Sequence, residues 1–157
     1  MMRRKDRAVT DRGKIREIIR SCSCLRLGLW DEGEVYIVPL HFGYAEEEGK
    51  QVFYFHGAKE GRKNTLIART HSAGFELDTG YELVSGASAC NYTARYQSVI
   101  GTGRISLVEE PEAKRKALQA IMLHCTGKAD WQFHDANIEK AAVFRLEVEK
   151  ISCKVHE

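Results

Sequence analysis

At 157 residues, 43% hydrophobic and 29% charged, the chain has the size and composition of a single globular domain with one core. Its formal charge of +2, with 24 Lys and Arg spread along the sequence and a pI of about 8.3, gives no support for the strongly basic face that sequence-independent nucleic-acid binding usually shows. No apolar run approaches the ~18 residues of a membrane-spanning helix, and the opening "MMRRKDRAVTD" lacks the apolar region of a signal peptide.

The five cysteines are odd in number, with no small secreted framework around them, so reduced thiols in the cytoplasm are expected. Cys22 and Cys24 form C-x-C with no matching pair downstream, and no metal site is expected. With two prolines and no Ser- or Gly-rich linker, residues 1–157 read as a single domain without internal repeats.

The first predicted element is a helix over residues 11–22. Ile15, Ile18, Ile19 and Cys22 share one face at the 3.6-residue period, and Thr10 or Asp11 can cap it. "CLRLGLW" alternates as a strand, "DEGE" turns, and "VYIVPLHFGYA" runs extended. "EEEGK" then turns into "QVFYFH", so that three strands form an antiparallel meander. "GRKNTLIART" reads as a short helix with Leu66 and Ile67 inward. "SAGFELD" is a strand, although Gly74 stands where a bulkier residue is natural and nothing in the sequence accounts for it.

"YELVSGASACNY" reads as a loop or the approach to a strand. "ARYQSVIGTGRISLVE" is the longest extended stretch, with Gly101 and Gly103 marking a bulge or bend. Pro111 opens a helix whose apolar stripe is Ala117, Leu118, Ile121 and Met122, and Gly127 stops it. "WQFHDANIEKA" is ambiguous, and "AVFRLEVEKISCKV" closes the chain as one or two strands. Many short antiparallel strands in one domain favour a barrel or sandwich that removes exposed edges.

Two stretches carry candidate chemistry. In "YFHGAKEGRKNTL" a strand ends at His56-Gly57, and Lys59, Arg62 and Lys63 follow. The spacing excludes a nucleotide-triphosphate P-loop, because Gly57 and Gly61 are too close and no G-K-[ST] follows. What remains is a strand end, a small loop and a helix N-terminus with Arg62 and Lys63, which can hold one phosphate monoester. A solvated basic turn would read the same way. The second stretch, "CNYTARYQSVIGTGRI", puts the hydroxyls of Tyr92, Thr93, Tyr96 and Ser98 among aromatic rings, as a planar ligand needs and as a half-buried barrel strand also gives.

Taken in order, "VYIVPLHFGY", "VFYFHGAKEGRKNTL", "CNYTARYQSVIGTGRI", "EEPEAKRKALQAIMLHCTG" and "AVFRLEVEKISCKV" resemble the flavin-binding split-barrel family related to pyridoxamine 5′-phosphate oxidase. Within it, the chain is most similar to the 5-nitroimidazole resistance (Nim-type) proteins. The resemblance runs from Met2 to Val155, and its two glycine-containing pieces are specific in combination rather than singly. It implies a mainly β fold, a six-stranded antiparallel split barrel with flanking helices, that forms a homodimer with flavin at the subunit interface. FMN is the implied cofactor, with FAD as the alternative.

Carried over by position, Arg62, Lys63 and Asn64 would hold the flavin phosphate beside Gly57, while Val38, Pro39 and Leu40 would line the isoalloxazine. Ser98 and Val99 would offer polar and backbone contacts. His56 would stand at the ring face, as proton donor or substrate contact; a structural imidazole is the plainer alternative. The C-terminal "EKISCKVHE" lacks the Arg-x-His segment that the oxidases themselves use for a substrate phosphate, which argues against that substrate. His124-Cys125 reads as a helix end favoured by the dipole, and Trp131 as a core, interface or flavin-edge residue. The expectation is a cytoplasmic FMN-dependent oxidoreductase acting on a small organic or nitroaromatic molecule, without membrane or nucleic-acid partners. The rival is a non-catalytic flavin- or haem-binding carrier or sensor.

Overall fold

The computed structural model describes residues 4–157; Met1, Met2 and Arg3, which open the basic N-terminal stretch, lie outside the described residues. After a 3₁₀ turn at Lys5–Arg7 come β1 (Ala8–Val9), α1 (Arg12–Ser21), β2 (Leu25–Asp31), β3 (Glu34–Leu40), β4 (Gly43–Glu47) and β5 (Lys50–Gly57). Then follow α2 (Arg62–Thr70), β6 (Ser72–Val84), a 3₁₀ turn at Ala89–Asn91, β7 (Thr93–Val108), α3 (Pro111–Thr126), α4 (Asp135–Lys140) and β8 (Ala142–His156). All strands pair antiparallel in one sheet of order β3-β2-β6-β7-β8-β5-β4, and β1 adds to β8. No helix among the described residues is long and apolar enough to cross a membrane.

Local chemistry explains most boundaries. The Asp11 carboxylate accepts from the Lys14 N–H at 2.7 Å and so caps α1, while Glu110 caps α3 through the Ala113 N–H at 2.8 Å. Gly127, at φ 73°, ends α3 in the left-handed region. At Gly101 and Gly103 any Cβ would collide with backbone carbonyls of β8, and the β7–β8 register shifts between Thr102 and Gly103, as the bulge reading predicts.

Three expectations change. The sheet has eight strands rather than six, partly because "VYIVPLHFGYA" is two strands. Phe42 is completely buried, and Gly43 sits so close to α3 that a Cβ would come 2.6 Å from the Ile121 nitrogen. The chain therefore bends at His41-Phe42. The bend sends β4 and β5 to the opposite end of the sheet from β2 and β3, so there is no three-stranded meander. Lastly, Tyr81–Val84 continues β6 as a ribbon on β7, with Glu82 opposite Arg95.

The core gathers the inward residues of the sheet, among them Leu27, Phe53, Phe55, Phe75, Leu77 and Phe144, with Ile18 and Ile19 of α1 and Leu66 and Ile67 of α2. β5 is buried on both faces, since Val52 and Tyr54 pack with Val143 under Ala117 and Ile121 of α3. That is why "QVFYF" reads as an unbroken apolar run rather than an alternation. The outer face of the β3-β2-β6-β7 region differs. Trp30, Val35, Ile37 and Ile100 are 59%, 63%, 61% and 53% exposed there, an apolar patch that the chain itself leaves uncovered.

Candidate functional site

α2 begins beside the end of β5 and the start of β8, where His56 pairs with Val143 and Gly57 with Ala142. Its N-terminus carries no side-chain cap. The Asn64 and Thr65 N–H groups both turn back to the Gly61 carbonyl, at 3.1 and 3.4 Å, which leaves those of Arg62 and Lys63 open, as at any helix start. Gly61 holds φ at 130°, a conformation that favours glycine and lets the loop reach this corner.

The Lys63 ammonium lies 5.4 Å from the centre of the Phe144 ring, an apolar support for a cation. It also sits on the Gly57 backbone, where a Cβ would come 2.8 Å from its nitrogen, so the missing side chain at Gly57 is what admits it. Partial burial holds the Lys63 pKa below the usual lysine value, and among the described residues no carboxylate is paired with it. The His56 imidazole is likewise held below its usual value, first by loss of water around the ring, then by the charges of Lys63 and His41. The end of β5 thus carries a partly buried lysine and two open N–H groups on its α2 side, while His56 and His41 stand on the α3 side, with Cys125 beside His41. The α2 side of this corner favours a bound anion.

Arg62 differs from its neighbour. Its guanidinium bonds Asp31 at 2.7 Å and Glu34 at 3.2 Å at the tip of the β2–β3 hairpin and lies 4.8 Å over the Tyr36 ring. Arg69 joins it on Asp31 at 2.7 Å, and these two arginines, Arg69 first, hold that carboxyl below the usual range. Arg62 therefore clamps the hairpin to α2, a role that the sequence reading missed; the acidic "DEGE" turn was the available signal. Asn64 points elsewhere again, its amide donating to the Ala58 carbonyl at 2.9 Å.

The remaining predicted residues stand apart from this corner. Val38 and Leu40 turn inward against the core, and Pro39 faces out opposite Arg26 on the edge strand. Val99 is completely buried, and Ser98 pairs with Lys154. Phe144, beneath Lys63, pairs instead with Leu107, nine residues from Ser98, or roughly 30 Å of strand at ~3.3 Å per residue. Within one subunit Ser98 and Lys63 do not meet.

His124 and Trp131 each have defined partners, and Trp131, 39% exposed, is not a core residue. The His124 ring bonds the Cys22 carbonyl at 2.8 Å and stacks on Phe42, so it ties α3 to the end of α1. Trp131 gives its indole N–H to the Thr126 hydroxyl and the Lys128 carbonyl, in the loop after α3.

One family model matches the chain, and solved structures share its fold. Residues 11–155 match the family described as pyridoxamine 5′-phosphate oxidase. No curated protein matches the chain. Among solved structures, a candidate 5-nitroimidazole antibiotic resistance protein from Bacteroides thetaiotaomicron superposes with a TM-score of 0.82 at 29% identity, over 94% of this chain and 86% of that one. A flavocytochrome from Azotobacter vinelandii superposes with a TM-score of 0.82 at 23% identity, over 100% of this chain and 72% of that one. A FAD- and haem-binding protein from Mycobacterium smegmatis also reaches 0.82, at 18% identity, over 96% of this chain and 74% of that one. At these lower identities the likeness speaks to the fold.

Proposed function

The chain belongs to the pyridoxamine 5′-phosphate oxidase family, and from that premise we propose that it is a homodimeric, cytoplasmic flavin-dependent oxidoreductase that uses FMN to reduce a small organic acceptor, with a nitroaromatic of the 5-nitroimidazole kind as the favoured class. The observation that carries the reading is Lys63, a partly buried cation with no acidic partner among the described residues, seated on Gly57 at an uncapped helix start. The corner fits a phosphate monoester better than it fits an unliganded protein, because a dianion supplies the charge that the chain withholds.

When bound, the flavin would supply the redox chemistry through its ring. The chain's own residues divide the other tasks. Lys63 and the open N–H groups of α2 hold the phosphate, and Gly57 keeps the backbone low beneath it. His56, at the end of the same strand with its pKa held below the usual value, positions or protonates the acceptor. Arg62, fastened to Asp31, fixes the start of the helix and keeps a partial role at the phosphate.

A second copy completes the proposal. Ser98 stands roughly 30 Å of strand from the lysine corner, so a single flavin meets both sets only if one comes from a partner. The uncovered outer face supports such a partner. Ile37, Gly28 and Gly74 form one row across β3, β2 and β6, and a Cβ at either glycine would find ordinary room, 3.7 and 3.8 Å from the nearest atoms. Packing within the chain therefore does not demand these glycines. Flatness toward another subunit would, and the proposed partner gives Gly74 a reason.

The test is reconstitution. Protein incubated with FMN and desalted is expected to keep the flavin's visible bands and to run as a dimer near twice 17.8 kDa in light scattering. It is also expected to oxidise reduced nicotinamide in the presence of a nitroaromatic acceptor. Colourless protein after desalting would end the flavin reading, and bound flavin without turnover would leave only the carrier.

A further inference from the structure

A second opening lies on the far side of α2 from Arg62. It is a cavity of about 700 Å³, within the range of small-molecule sites. Asn64, Ile67, Ala68 and His71 line it at i, i+3, i+4 and i+7, so that one whole stripe of the helix is its wall. The floor is apolar: Phe144 lies beneath, and Leu107, 50% exposed, turns its side chain to the space.

The rim carries the charge. Lys114 reaches two neutral acceptors, the Ile138 carbonyl at 3.3 Å and the Ala141 carbonyl at 2.9 Å. Lys59 belongs to the same rim, and Glu109 is the one carboxylate among the lining residues. Two lysines and one carboxylate thus border an apolar floor. Of the ten residues assigned above to flavin, only Asn64 borders this space.

We propose that this cavity is a separate binding site for a small amphipathic anion, an aromatic or branched aliphatic carboxylate whose apolar body lies on Leu107 and Phe144 and whose carboxylate meets Lys59 and Lys114. Because Phe144 also supports Lys63, the occupant touches the same ring as the phosphate corner from a different side. The site does not depend on the flavin reading.

Calorimetric titration with benzoate tests it, with benzamide as the uncharged isostere and acetate as the charge without the ring, on protein with and without added FMN. Benzoate is expected to saturate at millimolar concentration or below and to bind about tenfold more tightly than either control. Ala68→Trp, at an exposed helix position beside the cavity, is expected to abolish binding, and Lys59→Ala to weaken it about fivefold, the scale of one exposed charge pair. Should Ala68→Trp fail to fold, Lys59→Ala and its rescue by Lys59→Arg decide. Equal affinity for benzamide, indifference to these variants, absence of saturation, or displacement of bound FMN by benzoate would each overturn the proposal. Benzoate binding to a protein that never takes up flavin would uphold it while removing the function proposed above.

Discussion

Two clusters of charge lie on neighbouring parts of the same strands and are built in opposite ways. Around Glu47, at the end of β4, every charge is answered. The carboxylate takes hydrogen bonds from the Tyr54 hydroxyl, from Lys116 at 3.1 Å and from Arg145 at 3.2 Å, and Arg145 also holds Glu147. Burial alone would push the Glu47 carboxyl up, yet the hydrogen bonds from Tyr54, Lys116 and Arg145 outweigh it and leave the carboxyl below its usual value. At the other end of β5, Lys63 has no carboxylate paired with it among the described residues, and its charge helps to hold the His56 imidazole low. The first cluster closes upon itself and serves stability. The second is left open, which is the ground on which a phosphate is proposed there.

The largest expected effect lies at the open corner. Lys63→Ala should weaken FMN binding at least tenfold, since a charge-assisted bond to phosphate contributes about 1.5–3 kcal/mol. Arg62→Ala should cost less affinity, because its guanidinium is already committed to Asp31 and Glu34. Fluorescence titration of apo-protein checks both, and an Arg62→Ala loss larger than that of Lys63→Ala would reverse the assignment.

Next comes the closed cluster. Glu47→Gln keeps the shape but strips the charge that Arg145 and Lys116 share, and should destabilise the fold by about 1–2 kcal/mol. Urea unfolding at constant m-value measures it; an unchanged midpoint would place Glu47 with ordinary surface pairs. The same experiment on Lys63→Met should show the opposite sign. Removing a partly desolvated, unanswered cation should stabilise the flavin-free protein by a few tenths of a kcal/mol. Loss of stability in that variant would mean that the corner is built for packing rather than for a ligand.

The smallest effect is in pH. The folded state holds His56 below its usual pKa of ~6.5, so it binds fewer protons there than the unfolded chain. The group is silent above that pH and costs stability as pH falls through it. His56→Ala should therefore flatten part of the acid limb as pH falls below about 6.5. Bound FMN should flatten it too, its phosphate favouring the charged ring. His124, also held low by burial, remains in both proteins and sets the residual slope. An acid limb unaltered by either change would detach His56 from the corner.

Much of the fold was legible because periodicity and capping are local. The α1 stripe of Ile15, Ile18 and Ile19, the Pro111 start, the Gly127 stop and the Gly101–Gly103 bulge all follow from neighbours in sequence. The failures were non-local. Nothing inside "VYIVPLHFGYA" announces that Gly43 must lie against α3, and that contact is what breaks the stretch and carries the next hairpin across the sheet. The site divides the same way. Its loop, its cations and His56 could be read as a cluster because they are contiguous. The commitment of Arg62 to Asp31 spans 31 residues and the support of Lys63 by Phe144 joins α2 to β8, so neither could be seen before the chain was folded.

Trp30 and Trp131 give the molecule two built-in optical reporters that answer different questions. Trp30 stands on the outer face, 59% exposed in the isolated subunit, whereas Trp131 is pinned by its indole N–H behind α3. Pairing of subunits across that face would move Trp30 out of water, blue-shift its emission and bring it near any chromophore held between the copies, while Trp131 would stay in its loop. A dilution series of Trp131→Phe would then read assembly alone, and Trp30→Phe would read the integrity of α3 alone, from unlabelled protein in a single cuvette.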